Sequence, residues 1–232
     1  MRMFNVLSID FDYFQNIPYE VLSHYPDGID LPLDISNIVW ASKLAYCSQT
    51  FDNVKFDTDG FNAAIETIKA QRSNIPFCIA SSHLSAYYFI KEIKQQIGDV
   101  KIQLTNVDLH HDILNNNDKV DCGNWIGNLI NESAIQELKW IAKPLSQKMY
   151  NLNDVELYMM KGILDIEQIK NESYDAVFIC KSNQWVLPYF DSYFKELVDV
   201  CVSHIQPDNI RIETNVELLR TDNIRSIIRE LK

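Results

Sequence analysis

Apolar and polar positions alternate along this chain in short blocks, and the blocks predict an α/β protein. Brief apolar-rich runs at Phe4–Ile9, Pro76–Ala80, Lys101–Val107, Leu138–Ala142 and Ala176–Cys180 read as buried strands, with Ile210–Ile212 as a last short one. Between them, Phe61–Ala70 places Phe61, Ala64, Ile65 and Ile68 at helical spacing, and Ser85–Ile97 does the same with Tyr88, Phe89, Ile93 and Ile97. Pro188–Val202 and Asp222–Leu231 predict two further helices. Short apolar strands between helices imply a mostly parallel sheet covered on both faces, a three-layer α/β/α architecture. No repeat, low-complexity tract or long linker interrupts the pattern, so residues 1–232 read as one domain.

Parallel sheets of this kind bind ligands beyond the carboxyl ends of their strands. The first strand ends in Ser8-Ile9-Asp10-Phe11-Asp12, the second in Ser81-Ser82-His83 and the third in Asp108-Leu109-His110-His111-Asp112. Three neighbouring strands would thus bring Asp10, Asp12, Asp108 and Asp112 to one rim, together with His83 and His110. Crowded carboxylates repel, and removing them from water is costly, so such a cluster calls for a cation. Each piece alone is weak: Asp is common in turns and at helix N-caps, and a single His is more often a hydrogen-bonding residue than a ligand. The DxHxD run is more specific, because alternate residues of an extended chain point the same way. Asp108, His110 and Asp112 should then face the site, with Leu109 and His111 turned away. Carboxylate oxygens mixed with imidazole nitrogens suit a divalent first-row metal such as Mn²⁺, Fe²⁺ or Zn²⁺, and more ligands than one ion needs suggest a pair of ions.

Charge and composition narrow the class. The net charge of −11 opposes binding to a phosphate backbone and favours metal ions or cationic substrates, although acidic proteins are also simply soluble. No apolar run is long enough to span a bilayer, and Met1-Arg2-Met3-Phe4 leads into Asp10 too soon for a signal peptide. The cysteines, Cys47, Cys78, Cys122, Cys180 and Cys201, are odd in number and form no CxxC, which predicts reduced thiols in a cytoplasmic protein. With only 6 glycines there is no Gly-rich phosphate loop. The oligomeric state stays open, a homo-oligomer included.

The three ligand segments resemble those of the arginase and ureohydrolase superfamily. Asp108-Leu109-His110-His111-Asp112 looks like its Asp-Ala-His-x-Asp, Ser8-Ile9-Asp10-Phe11-Asp12 like its Ser-x-Asp-x-Asp, and Ile79-Ala80-Ser81-Ser82-His83-Leu84-Ser85 like its Gly-Gly-Asp-His-Ser segment. The DxD segment precedes DxHxD here, whereas it comes second in ordinary arginases, so the resemblance implies an arginase-like fold that is circularly permuted. Asp10-Phe11-Asp12-Tyr13-Phe14 is closest to a divergent branch that includes bacterial peptide arginases. Asp121-Cys122-Gly123-Asn124-Trp125 resembles the Gly-Asn-Trp segment of that branch. Ser182-Asn183-Gln184-Trp185-Val186-Leu187-Pro188 resembles its Ser-Pro-x-x-x-x-Pro run, with Asn183 in place of the usual Pro.

This resemblance implies a site of two divalent ions, usually Mn²⁺ in the family. One would be held by His83, Asp108, Asp112 and Asp10, the other by His110, Asp108, Asp10 and Asp12, with Asp108 and Asp10 bridging. It implies hydrolysis of a guanidinium by water activated between the ions, with Asp108, His110 and Asp10 at the reacting centre. The substrate and partner would be a ribosomally made precursor peptide whose arginine becomes ornithine as urea leaves. His111 is the nearest spare imidazole for proton transfer and reads equally as a supporting hydrogen-bonding residue. Asp121 and Asp118 are candidates for gripping the guanidinium or are plain turn residues. Asn124, Trp125, Trp185 and Ser182 could touch substrate, or could fix the loop, fill the core or cap a helix. Two alternatives remain: a metallohydrolase of the same fold acting on a free guanidino compound or an acylated amine, and a non-catalytic binding protein. Mass analysis of an arginine peptide separates the first from the peptide reading, and metal binding tests the second.

Overall fold

The computed structural model describes residues 3–26, 30–114, 119–150, 160–163 and 165–231, with 160–163 as backbone alone. The strands expected from the apolar runs form to within one residue of their expected ends: β1 (Phe4–Asp10), β4 (Phe77–Ala80), β5 (Ile102–Val107), β6 (Glu137–Ile141), β8 (Ala176–Cys180) and β9 (Ile210–Ile212). A strand that the apolar pattern does not reveal, β7 (Met160–Ile163), completes a sheet of 7 strands in the order β7-β6-β5-β1-β8-β4-β9. All its pairings are parallel. A small antiparallel pair, β2 (Gln15–Asn16) and β3 (Lys55–Phe56), stands apart.

Helices cover both faces, giving the three layers. Alternation along β1 turns Leu7 and Ile9 to one face, where α2 (Thr58–Ala70) and α6 (Asp191–His204) bury Phe61, Ala64, Ile68, Phe194 and Leu197 against them. Val6 points to the opposite face, packed with α3 (Leu84–Ile97) and α4 (Trp125–Asn131) through Phe89, Ile90, Ile126 and Leu129. Asp57 starts α2 as its N-cap, accepting from Gly60 N at 3.0 Å. A third apolar cluster lies at the carboxyl end of the sheet. There α1 (Leu33–Cys47), α5 (Pro144–Met149) and α7 (Thr221–Leu231) contribute Trp40, Leu44, Leu145 and Ile224, packed with Leu109 and Leu187.

The apolar pattern does not predict helix α1, for a physical reason. Trp40, Ala41 and Leu44 are buried, yet Ile35, Ile38 and Tyr46 on the same helix are exposed, so no single apolar face stands out. The strand order also corrects the expectation of three neighbouring ligand strands. β1 and β5 are neighbours, but β8 lies between β1 and β4. His83 therefore reaches the site from two strands away, and β8 adds its own carboxyl end to the rim. No helix among the described residues is long and apolar enough to cross a membrane.

Candidate metal centre

The site grows out of the alternation that builds the core. Val6, Ser8 and Asp10 share one face of β1, so Asp10 arrives at the rim above Ser8. The chain then tightens into a 3-10 turn, Phe11–Phe14, capped by Asp10 itself, whose Oδ1 accepts from Asp12 N at 3.3 Å. That turn folds Asp12 back beneath the same rim, where its Oδ1 accepts from Leu109 N at 3.4 Å.

Beyond β5 the structure departs from the expected extended run. The strand ends at Val107, and Asp112 adopts a left-handed backbone with φ 52°. Asp112 is held there because its carbonyl accepts from Ile126 N at 3.1 Å and Gly127 N at 3.3 Å, at the start of α4. A side chain at Gly127 would crowd this approach, since its Cβ would stand 3.3 Å from the Ile113 carbonyl oxygen. Simple alternation consequently fails for one residue. Leu109 does turn away, into the apolar cluster under α1. His111, expected to turn away too, lines the same pocket as the candidate ligands.

Two groups of side chains form. In the first, His83 Nδ1 lies 3.0 Å from Asp112 Oδ2, 3.1 Å from Asp108 Oδ2 and 3.4 Å from Asp10 Oδ2. Its other nitrogen, Nε2, is bonded to Ser8 Oγ at 2.7 Å, which orients the ring and leaves Nδ1 to face the carboxylates. In the second, His110 Nδ1 lies 3.0 Å from Asp12 Oδ2 and 3.5 Å from Asp108 Oδ1. Asp108 is common to both, one oxygen on each side. Asp10, expected to bridge as well, sits with His83.

These groups suit cations. His83 Nδ1 and Asp12 Oδ2 are buried without a well-directed hydrogen bond, although carboxylate or imidazole atoms stand close by. Each of the sets His83, Asp108, Asp112 and Asp12, Asp108, His110 offers ligand atoms within 4.8 Å of one another, close enough to hold an ion. Proton affinities point the same way. Burial, then the neighbouring Asp12, pushes Asp10 well up, and burial likewise raises Asp12. Burial and the charge of Asp108 push Asp112 up to about 7. Burial alone would raise Asp108 too, but contacts with both imidazoles outweigh it and hold Asp108 below its ordinary range. Burial opposes charge on His83 and His110, yet the facing carboxylates raise both well above the ordinary value. Without metal, protons shared across the cluster offset its negative charge; a divalent ion does the same more fully.

The surrounding residues hold the ligands. Ser182, just beyond β8, donates from Oγ to Asp10 Oδ2 at 2.6 Å. Trp125, a candidate for substrate contact or for the core, is fully buried in α4, donates from Nε1 to Asp112 Oδ2 at 2.6 Å and packs against the His83 ring. Asn124 is also buried and organises its loop, accepting from Asp121 N at 2.8 Å. Asp121 accepts from Gly123 N at 2.9 Å and reaches the pocket wall. Asp118 lies outside the described residues. His111 accepts from Ile113 N at 3.0 Å through Nδ1, leaving Nε2–H as its donor; burial lowers it to about 4, so it is neutral at physiological pH.

A pocket of about 340 Å³ opens over the cluster. Its upper wall is Leu114, Met149, Tyr150 and Trp185, with the Trp185 ring 4.6 Å from that of His110. Among the described residues, neither Lys nor Arg lines it.

Several participants are not apparent from the motifs. Ser8 and Cys180 carry a usable signal, since each shares the period-two face that ends at the site. Cys180 is the register partner of Asp10, and its sulfur forms a third close group with Asp10 and His83. A buried ionic cluster carries none. Asp191 accepts from Lys181 Nζ at 3.1 Å and from Arg220 Nη2 at 2.8 Å and Nε at 3.0 Å, while Arg220 also donates to the carbonyls of Asn183 and Val186. That guanidinium thereby pins the turn bearing Trp185, and Lys181 flanks Ser182. Comparison of the chain with protein-family models, with curated proteins and with solved structures yields no match.

Proposed function

We propose that this chain is a metal-dependent hydrolase of guanidinium groups with two ion positions, and that it converts arginine residues of a precursor peptide to ornithine with release of urea. The observation that carries this reading is the span of Asp108, with Oδ2 3.1 Å from His83 Nδ1 and Oδ1 3.5 Å from His110 Nδ1. A carboxylate placed between two imidazole-carboxylate groups is what a pair of ions needs. Ions held there would supply Lewis acidity and a water of lowered pKa, the chemistry that opening a guanidinium requires. The carboxylate-rich ligand sets suit Mn²⁺. Asp10–Asp12 preceding Asp108–Asp112 supports a permuted relation to arginases.

The chain's own groups account for the rest. Ser8, Ser182 and Trp125 fix His83, Asp10 and Asp112. Leu114, Met149 and Trp185 offer an apolar wall to the methylene stem of an arginine side chain. His111 Nε2–H provides a neutral donor beside the reacting group. Among the described residues no Lys or Arg lines the pocket to pair with the carboxylate of a free amino acid, whereas an arginine within a peptide brings no such carboxylate. The −11 net charge favours a cationic peptide. The cysteines are all free, which suits a cytoplasmic enzyme.

The test is mass analysis of an arginine-containing peptide, ideally one encoded beside this gene, incubated with Mn²⁺-loaded protein. Conversion to ornithine removes about 42 Da from the peptide and yields urea. Urea from free arginine alone would remove the peptide from the reading, and failure to bind metal would remove the hydrolase.

A further inference from the structure

We infer that Cys180 is a further ligand at the His83 position, making that position softer than its His110 neighbour and giving it a preference for ions of the Zn²⁺, Co²⁺ and Fe²⁺ class. The inference rests on the metal reading above and sharpens it.

Cys180 closes β8 and is in register with Asp10 at the end of β1. Both side chains belong to the face of the sheet that carries Ser8 and meets α3 and α4. The sulfur, an Asp10 oxygen and a His83 nitrogen lie within 4.8 Å of one another. His83 is 1% exposed, and its Nδ1 has no well-directed hydrogen bond. Cys180 shares an apolar cluster with Cys78, and Cys201 lies in another, but neither Cys78 nor Cys201 belongs to such a group of ligand atoms among the described residues. On the other side, Asp12, Asp108 and His110 supply only oxygen and nitrogen. Thiolate ligands select softer ions than carboxylates do, so the two positions should differ in preference. Ligation forms one sulfur–metal bond and releases the thiol proton to solvent; no oxidant takes part.

Cobalt supplies a readout independent of turnover. The protein is stripped of metal and loaded with Co²⁺. The expected spectrum has visible d–d bands together with a near-ultraviolet sulfur-to-cobalt charge-transfer band. Cys180→Ser should keep the visible bands and lose the near-ultraviolet one, whereas Cys122→Ser, on the pocket wall, should keep both. Cd²⁺ affinity in Cys180→Ser should fall by more than the roughly 10–100-fold that follows loss of a group merely orienting a ligand, with Mn²⁺ affinity changed far less. Visible bands without the charge-transfer band in the unaltered protein overturn thiolate ligation and leave the metal reading standing, and they do so even if the variants fail to fold. A band that survives in Cys180→Ser overturns it as well. No cobalt uptake removes both.

Discussion

Trp125 donates its indole N–H to Asp112 Oδ2 at 2.6 Å, and the same oxygen stands 3.0 Å from His83 Nδ1. A residue that could have touched substrate or filled the core supports a candidate ligand from beneath. Trp125→Phe removes the donor and keeps most of the packing. Metal affinity should fall on the order of 10–100-fold, the usual cost of losing a hydrogen bond that orients a ligand. Calorimetric titration with Mn²⁺ measures it, and unchanged affinity would show that the indole N–H does not orient Asp112.

Metal should stabilise the fold, because the unfolded chain holds none of these groups together. At a free ion concentration 100-fold above the dissociation constant, the gain is about 2.7 kcal/mol per independent site. For a chain of this size that raises the melting temperature by roughly 5–10 °C. Scanning calorimetry with and without a chelator reads the difference, and coincident curves would contradict a metal site.

The Lys181–Asp191–Arg220 cluster offers a contrast decided by magnitude. Asp191→Asn leaves two cations buried with no full negative charge between them and should cost about 3–5 kcal/mol in denaturant unfolding. Lys181→Met should cost far less, since Asp191 retains both of its side-chain bonds from Arg220.

Lys181 also predicts a pH dependence. Burial and the adjacent Arg220 lower it from 10.5 to about 8. Between those values the unfolded chain binds more protons, so this residue makes stability rise with pH from about 8 towards 10.5 and withdraws that contribution as pH falls through 8. Buried thiols with raised pKa act the opposite way at the upper end of this range, so the readout is a difference: between about pH 8 and 10.5 the unaltered protein should gain stability relative to Lys181→Met, and a constant difference would contradict the lowered pKa.

His111 should act on catalysis without holding an ion. Its Nδ1 is occupied by Ile113 N–H, and its lowered pKa keeps it neutral. In His111→Asn the bound-metal stoichiometry should be unchanged while peptide conversion slows at least ~tenfold. The shape of the rate profile between about pH 5 and 8 should persist, because the ring carries no titration there. Loss of metal in this variant would assign the residue to the ligand set instead.

The rim of the site is legible in the sequence, and its supports are much less so. Asp10, Asp12, His83, Asp108, His110 and Asp112 stand at strand ends, where the apolar runs that reveal the strands also locate the residues just beyond them. The period-two rule then misleads at His111, because it holds only while the chain is extended, and β5 stops at Val107 before Asp112 turns left-handed. Ser8 is within reach of the same rule, as it lies two residues before Asp10 on one face. The Trp125–Asp112 bond depends on how α4 docks, and the pairing of Asp191 with Arg220 spans 29 residues with no local pattern to mark it. Helix α1 is illegible because its apolar residues surround the helix. The sheet order is illegible because nothing local says that β8 will enter between β1 and β4.

That entry sets a timetable. Residues of β1 pair with Ala176–Cys180, made some 170 positions later, as in Val6↔Ala176. β8 lies between β1 and β4, and Ser182 cannot secure Asp10 before the segment that carries it is made. Long-range pairing of this kind is slow. A nascent chain can therefore display the DxD, His and DxHxD segments well before it can hold them in working order, so the centre becomes competent only after Ala176–Ser182 has been made.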